Sequence, residues 1–102
     1  MVRTETVKRR VVSKPADWTL LDVRDADEVA KSRIEGSQHI YVGELNERWR
    51  ELDPARHYTV MCASGMRATI AASWLTTKGF AKVDIYLGSM GAWQASMRGA
   101  DE

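Results

Sequence analysis

The sequence predicts an α/β fold: a small, mostly parallel sheet of about five strands with helices on both faces. Three observations carry this. Short apolar runs at residues 18–23, 58–61 and 83–87 alternate with segments of helical spacing. The first run, Trp18-Thr19-Leu20-Leu21-Asp22-Val23, is apolar almost throughout, as in a strand buried on both faces. Turn formers stand between the runs: Gly36-Ser37, Asp53-Pro54, Gly79, and Gly88 with Gly91.

Taken in order, residues 1–14 are polar and basic, with alternation from Val7 to Val12 that predicts a short edge strand or an arm. Lys8, Arg9 and Arg10 read as a solvated face. After the strand at residues 18–23, Asp25 is a plausible N-cap, and Glu28 stands at capping-box spacing, so a short helix runs to Lys31. Gln38 to Tyr41 reads as a brief strand. A helix at residues 43–52 ends before Asp53-Pro54. Residues 58–61 form the central strand. The helix after Arg67 places Ile70, Ala71, Trp74 and Leu75 on one face and stops at Gly79. A strand at residues 83–87 and a helix at residues 92–97 complete the chain.

The 102 residues suit one domain, with a core at about residues 18–98, large enough to bury roughly 60–65% of its unfolded surface. A composition of 44% hydrophobic and 28% charged residues with net charge +1 is that of a soluble globular chain. It gives no reason to propose nucleic acid or an anionic membrane as partner. No apolar stretch reaches the ~18 residues of a membrane span, and the first residues lack the apolar centre of a signal peptide. One cysteine excludes an internal disulfide. A cytoplasmic location is the default expectation.

That cysteine, Cys62, is the most informative residue. It follows the apolar run Tyr58-Thr59-Val60-Met61 and opens Cys62-Ala63-Ser64-Gly65-Met66-Arg67, with a helix directly behind. A thiol between a strand and a helix N-terminus meets unpaired N–H groups and a positive dipole end. Both favour the thiolate, which is the nucleophile. A lone cysteine at a strand end is most often core packing. Core strands seldom end in a small, glycine-containing, arginine-closed turn, and this shifts the balance towards chemistry. Cysteine-based phosphatases hold phosphate in a similar cradle with one more residue between cysteine and arginine. The shorter loop makes a tighter ring of N–H groups, suited to one added sulfur atom. With no second cysteine, an acceptor for that sulfur must come from outside the chain.

Leu20-Leu21-Asp22-Val23-Arg24 with Glu28, then Gly36, then Cys62-x-Ser64-Gly65-x-Arg67, then Gly88-x-x-x-Ala92-Trp93 resembles the rhodanese domain. The resemblance implies an α/β domain that moves sulfane sulfur through a persulfide on Cys62. It implies that Ala63, Ser64, Gly65, Met66 and Arg67 form the anion loop, with Asp22 near it and helping to fix it. It makes Arg24 and Glu28 a structural ion pair, four residues apart, and Trp93 a packing residue. Three departures stand out. Arg33-Ile34-Glu35-Gly36-Ser37 replaces a common His-Ile-Pro-Gly-Ala. Ser89 takes the place of the second glycine of a Gly-Gly pair. Ala63 occupies a position that is often basic, which removes one cation for a dianion such as thiosulfate.

The expected reaction is a relay from a small sulfur-donor anion to cyanide, a thiol or a protein acceptor, without cofactor or metal. His39, His57 and Cys62 match no short zinc motif. Arg67 either binds the donor or pins the loop through a carboxylate. The competing expectations are a non-catalytic binding or regulatory module on the same fold, and phosphatase or arsenate reductase chemistry.

Overall fold

The computed structural model describes residues 1–97; the expected end of the core at residue 98 lies outside the described residues. Four parallel strands form the sheet: β1 (Trp18–Asp22), β2 (Gln38–His39), β3 (His57–Met61) and β4 (Val83–Ile85), in the order β2-β1-β3-β4. The helices are α1 (Thr4–Ser13), α2 (Ala26–Lys31), α3 (Leu45–Arg48), α4 (Met66–Thr77) and α5 (Ser89–Met97). The α/β class and the parallel sheet are as predicted, with four strands among the described residues where about five were expected. A single bridge from Val2 to Tyr86 extends the β4 edge.

The sheet splits the core in two. Leu21 of β1 and Tyr58 and Val60 of β3 face a cluster with Leu45, Ala68, Ala71, Ala72, Leu75 and Phe80. Trp18, Leu20 and Met61 face the other way, onto Val7, Ile34, Tyr86 and Met90. Alternate residues of one strand point to opposite faces, and both faces must be covered because both are apolar.

The segment at residues 1–14 is the main correction. It is neither edge strand nor arm: Thr4–Ser13 is a helix, with Val7 fully buried and Val11 packed one turn on. Over six residues an alternating pattern and a helical i, i+4 pair are hard to tell apart. Packing against β4 and α5 decides the matter. Nor is the basic run simply solvated. Arg10 turns inward, 3.0 Å from Asp84 and 3.1 Å from Thr59, while Lys8 lies over the Trp93 ring. Trp93 is packed against the core as the resemblance implied.

Smaller departures follow from the same competition between local pattern and packing. The expected helix at residues 43–52 is broken into a 3-10 turn (Val42–Glu44), α3 and a second 3-10 turn (Trp49–Glu51). The strand expected to reach Tyr41 stops at His39, and the last helix begins at Ser89, three residues early. On α4 the buried face is Ala68, Ala71, Ala72 and Leu75; Ile70, assigned to that face, is 59% exposed.

Candidate active site

Strands β1 and β3 are in register from Trp18↔His57 to Asp22↔Met61, so their carboxyl ends stand side by side. Ligands of open parallel sheets bind beyond such ends. Here the chain leaves β3 through Cys62, turns at Gly65, and enters α4. Gly65 caps the helix with φ +101°, a left-handed conformation that glycine adopts without a steric cost. A Cβ at this position would also lie 2.5 Å from the Leu87 carbonyl oxygen, so the loop closes against the segment that follows β4.

This turn aims amides at the cysteine. The Gly65 N–H donates to Sγ at 3.0 Å and the Ala68 N–H at 3.4 Å. Ala68 is the third residue of α4, and its amide is one of the donors a helix start leaves without an internal partner. Cys62 is only 1% exposed. Burial pushes its thiol up, but the N–H groups of Ala68, Gly65 and Ser64 outweigh it, and the thiol lies below its ordinary value of 9.0. The sulfur is thus enclosed, with amides converging on it.

The loop is held from outside by α5 and by one hydroxyl. Met90 and Gly91 donate backbone N–H groups to the carbonyls of Cys62 and Ala63 at 2.9 and 3.1 Å. Ser89 Oγ accepts the Cys62 N–H at 3.0 Å and donates to the Tyr86 carbonyl at 2.7 Å. A hydroxyl has one proton, so at 4.0 Å from Sγ it positions the cysteine backbone and is no donor to the sulfur. Ser89 holds φ +53°, which explains why glycine suits this place in the family pattern. The sequence flagged Ser89 only as a departure. Ala68 was missed by one residue, although counting from a Gly65 cap would have found it.

The charged residues are paired differently from expectation. Arg24 and Glu28 do not form a side-chain ion pair. Arg24 lies 2.7 Å from Asp22, with both side chains almost wholly buried. Asp22 also accepts the Arg24 backbone N–H at 3.0 Å, and Arg24 Nη2 donates to the Ser32 carbonyl at 2.7 Å. Asp22 therefore fixes the segment after β1; no hydrogen bond joins its side chain to the cysteine loop. Glu28 instead takes Arg67 in a two-pronged pair at 2.6 and 2.9 Å. Spacing along α2 suggested the first pairing, but the buried carboxylate is nearer to Arg24. The Arg67 guanidinium is thereby engaged with a carboxylate. Within the loop, Ala63 is half-buried, Ser64 exposed, and Met66 is 75% exposed. The histidines are engaged elsewhere: His39 Nε2 with the Arg24 carbonyl at 2.6 Å, His57 Nε2 with Asp84 at 2.8 Å.

Two predictions arise here. Gly65→Ala should cost about 2–3 kcal/mol, because φ stays positive and the new methyl meets a backbone oxygen. It should also move the 3.0 Å amide off Sγ. The midpoint of the pH–rate profile for alkylation should therefore rise; an unchanged midpoint would show that this amide does not tune the thiol. Glu28 gives a stability signature. The Arg67 hydrogen bonds, against a smaller opposing effect of burial, lower its carboxyl from 4.5 to about 2. A lowered folded-state value means stability present above about pH 4.5 and lost as pH falls towards 2. The pair is partly solvated, so the loss should be about 1 kcal/mol. Denaturant midpoints between these pH values should show this extra slope, and Glu28→Gln should remove it.

A family model described as the rhodanese-like domain matches residues 4–96 of this chain. The chain belongs to the rhodanese-like family. It is 35% identical over 97 residues to a Bacillus subtilis protein named "Putative sulfurtransferase YtwF", covering 95% of this chain and 92% of that one. It is 29% identical to thiosulfate sulfurtransferase GlpE of Pseudomonas fluorescens, covering 76% and 71% of the two chains. Among solved structures, a rhodanese-related protein from Thermoplasma volcanium superposes with TM-score 0.81 at 28% identity, over 93% of this chain and 90% of that one. The sulfurtransferase names among these rhodanese-like relatives support a general sulfurtransferase role.

Proposed function

We propose that this rhodanese-like protein is a sulfurtransferase that carries sulfane sulfur as a persulfide on Cys62. In the first step the Cys62 thiolate attacks the outer sulfur of a donor such as thiosulfate. A new S–S bond forms to Sγ, the S–S bond of the donor breaks, and sulfite leaves with the electron pair. In the second step cyanide, a thiolate or a protein acceptor attacks the outer sulfur, and the Cys62 thiolate departs. The covalent intermediate divides one transfer into two displacements. Location in the cytoplasm is part of the proposal; no helix among the described residues is long and apolar enough to cross a membrane.

The observation that carries this reading is the pair of amides on Sγ, at 3.0 and 3.4 Å, with the thiol lowered in spite of its burial. Donors fixed in advance around developing negative charge are worth about 2.7–4 kcal/mol each when removed in well-studied enzymes. Arg67, engaged with Glu28, braces the loop in this mechanism and leaves the charge on sulfur to the backbone. With Cys62 1% exposed, a donor reaches Sγ only when the loop edge parts.

That enclosure also favours a second reading, a binding or regulatory module in which Cys62 only packs. Intact-mass measurement separates the two. The reduced protein, treated with thiosulfate, should gain about 32 mass units on Cys62 and lose them with cyanide. No gain from thiosulfate or from an organic persulfide would favour the module. Hydrolysis of an aryl phosphate without any sulfur gain would instead favour phosphatase chemistry.

A further inference from the structure

A strained residue stands against the cysteine loop. Ser89, the first residue of α5, is fully buried and holds φ +53°. That is the left-handed region, which a residue with a side chain enters only at a cost. Glycine would enter it freely. A residue kept in such a conformation needs a compensating contact, and strain of this kind clusters at functional sites. Here the compensation is the hydroxyl. We propose that Ser89 is a positioning residue for the sulfur chemistry: by holding the Cys62 N–H it keeps Sγ on the Gly65 and Ala68 amides, and so sets the reactivity of the thiol. The role in sulfur transfer rests on the persulfide reading; the effect on the thiol does not.

The hydroxyl is itself held by a fixed post. Tyr86 is almost wholly buried, its N–H donates to the Val60 carbonyl at 2.9 Å, and its phenol lies 2.7 Å from Thr4 Oγ1 on α1. The Tyr86 carbonyl accepts both the Ser89 N–H, at 3.1 Å, and the Ser89 hydroxyl proton, at 2.7 Å. With its one proton committed there, Oγ is left as an acceptor, and the Cys62 N–H reaches it at 3.0 Å. On the other side of the cysteine, the Met90 N–H donates to the Cys62 carbonyl at 2.9 Å. The first two residues of α5 thus grip both backbone polar groups of Cys62.

That double grip matters because the sulfur follows the backbone. Sγ lies 3.0 Å from the Gly65 nitrogen and 3.4 Å from that of Ala68, and hydrogen bonds weaken steeply with poor geometry. Without the hydroxyl, the Cys62 N–H loses its acceptor in a buried place. An unpaired buried donor is costly enough to favour a shift of the chain around it. Any such shift carries Sγ away from the amides that favour its negative charge. Ser89 Oγ is 4.0 Å from Sγ, so it acts on the sulfur through the backbone and not by direct donation.

Two variants test this. Ser89→Ala removes the hydroxyl and keeps the Cβ; Ser89→Gly removes the hydroxyl and is at ease with positive φ. Should the alanine protein misfold, the glycine protein decides. The pH–rate profile for alkylation of Cys62, amide hydrogen exchange, and transfer from thiosulfate to cyanide are measured on the same preparations. In both variants the alkylation midpoint should rise by about half a pH unit or more. The Cys62 amide should exchange at least about tenfold faster than in the parent. The kcat for transfer should fall roughly tenfold with KM within about twofold, because a buried Ser89 meets no substrate. A merely structural serine would lower Tm in the alanine protein and move neither midpoint nor kcat. An unchanged midpoint in Ser89→Gly, or a Cys62 amide as protected there as in the parent, overturns the proposal. Raised midpoints in both variants, with no sulfur gain on Cys62 of the parent, uphold it and sink the persulfide reading. Sulfur gain on the parent, with midpoint and kcat unmoved in both variants, does the reverse.

Discussion

Cys62→Ser is expected to bring sulfur transfer down to background while the protein remains folded. A serine hydroxyl is a poor nucleophile at neutral pH without a base, and neither His39 nor His57 is among the partners of the cysteine. An alcohol also cannot hold sulfane sulfur as a persulfide. Folding should persist because the change is nearly isosteric and the amides of Gly65 and Ala68 gain an oxygen acceptor in place of sulfur. The expected stability change is within about 1 kcal/mol. Transfer assays and denaturant melts on the same preparation check both halves. Residual transfer near the parent rate would remove Cys62 from the mechanism.

Asp22→Ala should be the most damaging single change to stability. Asp22 is fully buried and takes four hydrogen bonds from Arg24, three from the guanidinium and one from the backbone. Truncation leaves a guanidinium that is 3% exposed without its counter-charge. Breaking a buried pair in this way costs about 3–5 kcal/mol, a large part of the 5–15 kcal/mol that holds a typical domain. At about 4–8 °C per kcal/mol, Tm should fall by more than about 12 °C. Asp22→Ala with Arg24→Met should recover much of that loss, because no buried charge is then left alone. If the double change were as unstable as the single one, the damage would come from the lost carboxylate packing and not from the orphaned charge.

How far the sequence reached can be judged from these residues. The strand ending in cysteine, the glycine turn and the helix behind it are local features, and they appear where the residues predict them. The parallel α/β arrangement was legible for a similar reason: apolar runs of strand length alternate with helical spacing. The segment around Val7 was misread because six residues support two periods equally well. Its burial against the sheet depends on Tyr86 and Met90, far away in the chain. The helix face containing Ile70 was misplaced because α4 spreads its apolar residues round the axis among Arg67, Thr69, Ser73, Thr76 and Thr77, so its sequence does not say which side faces the sheet.

The amino-acid order alone therefore determined the family, the layered architecture and the residue on which the proposed chemistry rests. All three are set by short-range pattern and by motif spacing. The tertiary structure decided who pairs with whom: Asp22 with Arg24, Glu28 with Arg67, Ser89 with the cysteine backbone, and the Ala68 amide with the sulfur. Such partners are chosen by distance and burial in three dimensions, and an ionic pair goes to the nearest partner that leaves no charge buried alone. Spacing of four along a helix offered Glu28 to Arg24; the closed fold offered it Arg67 instead.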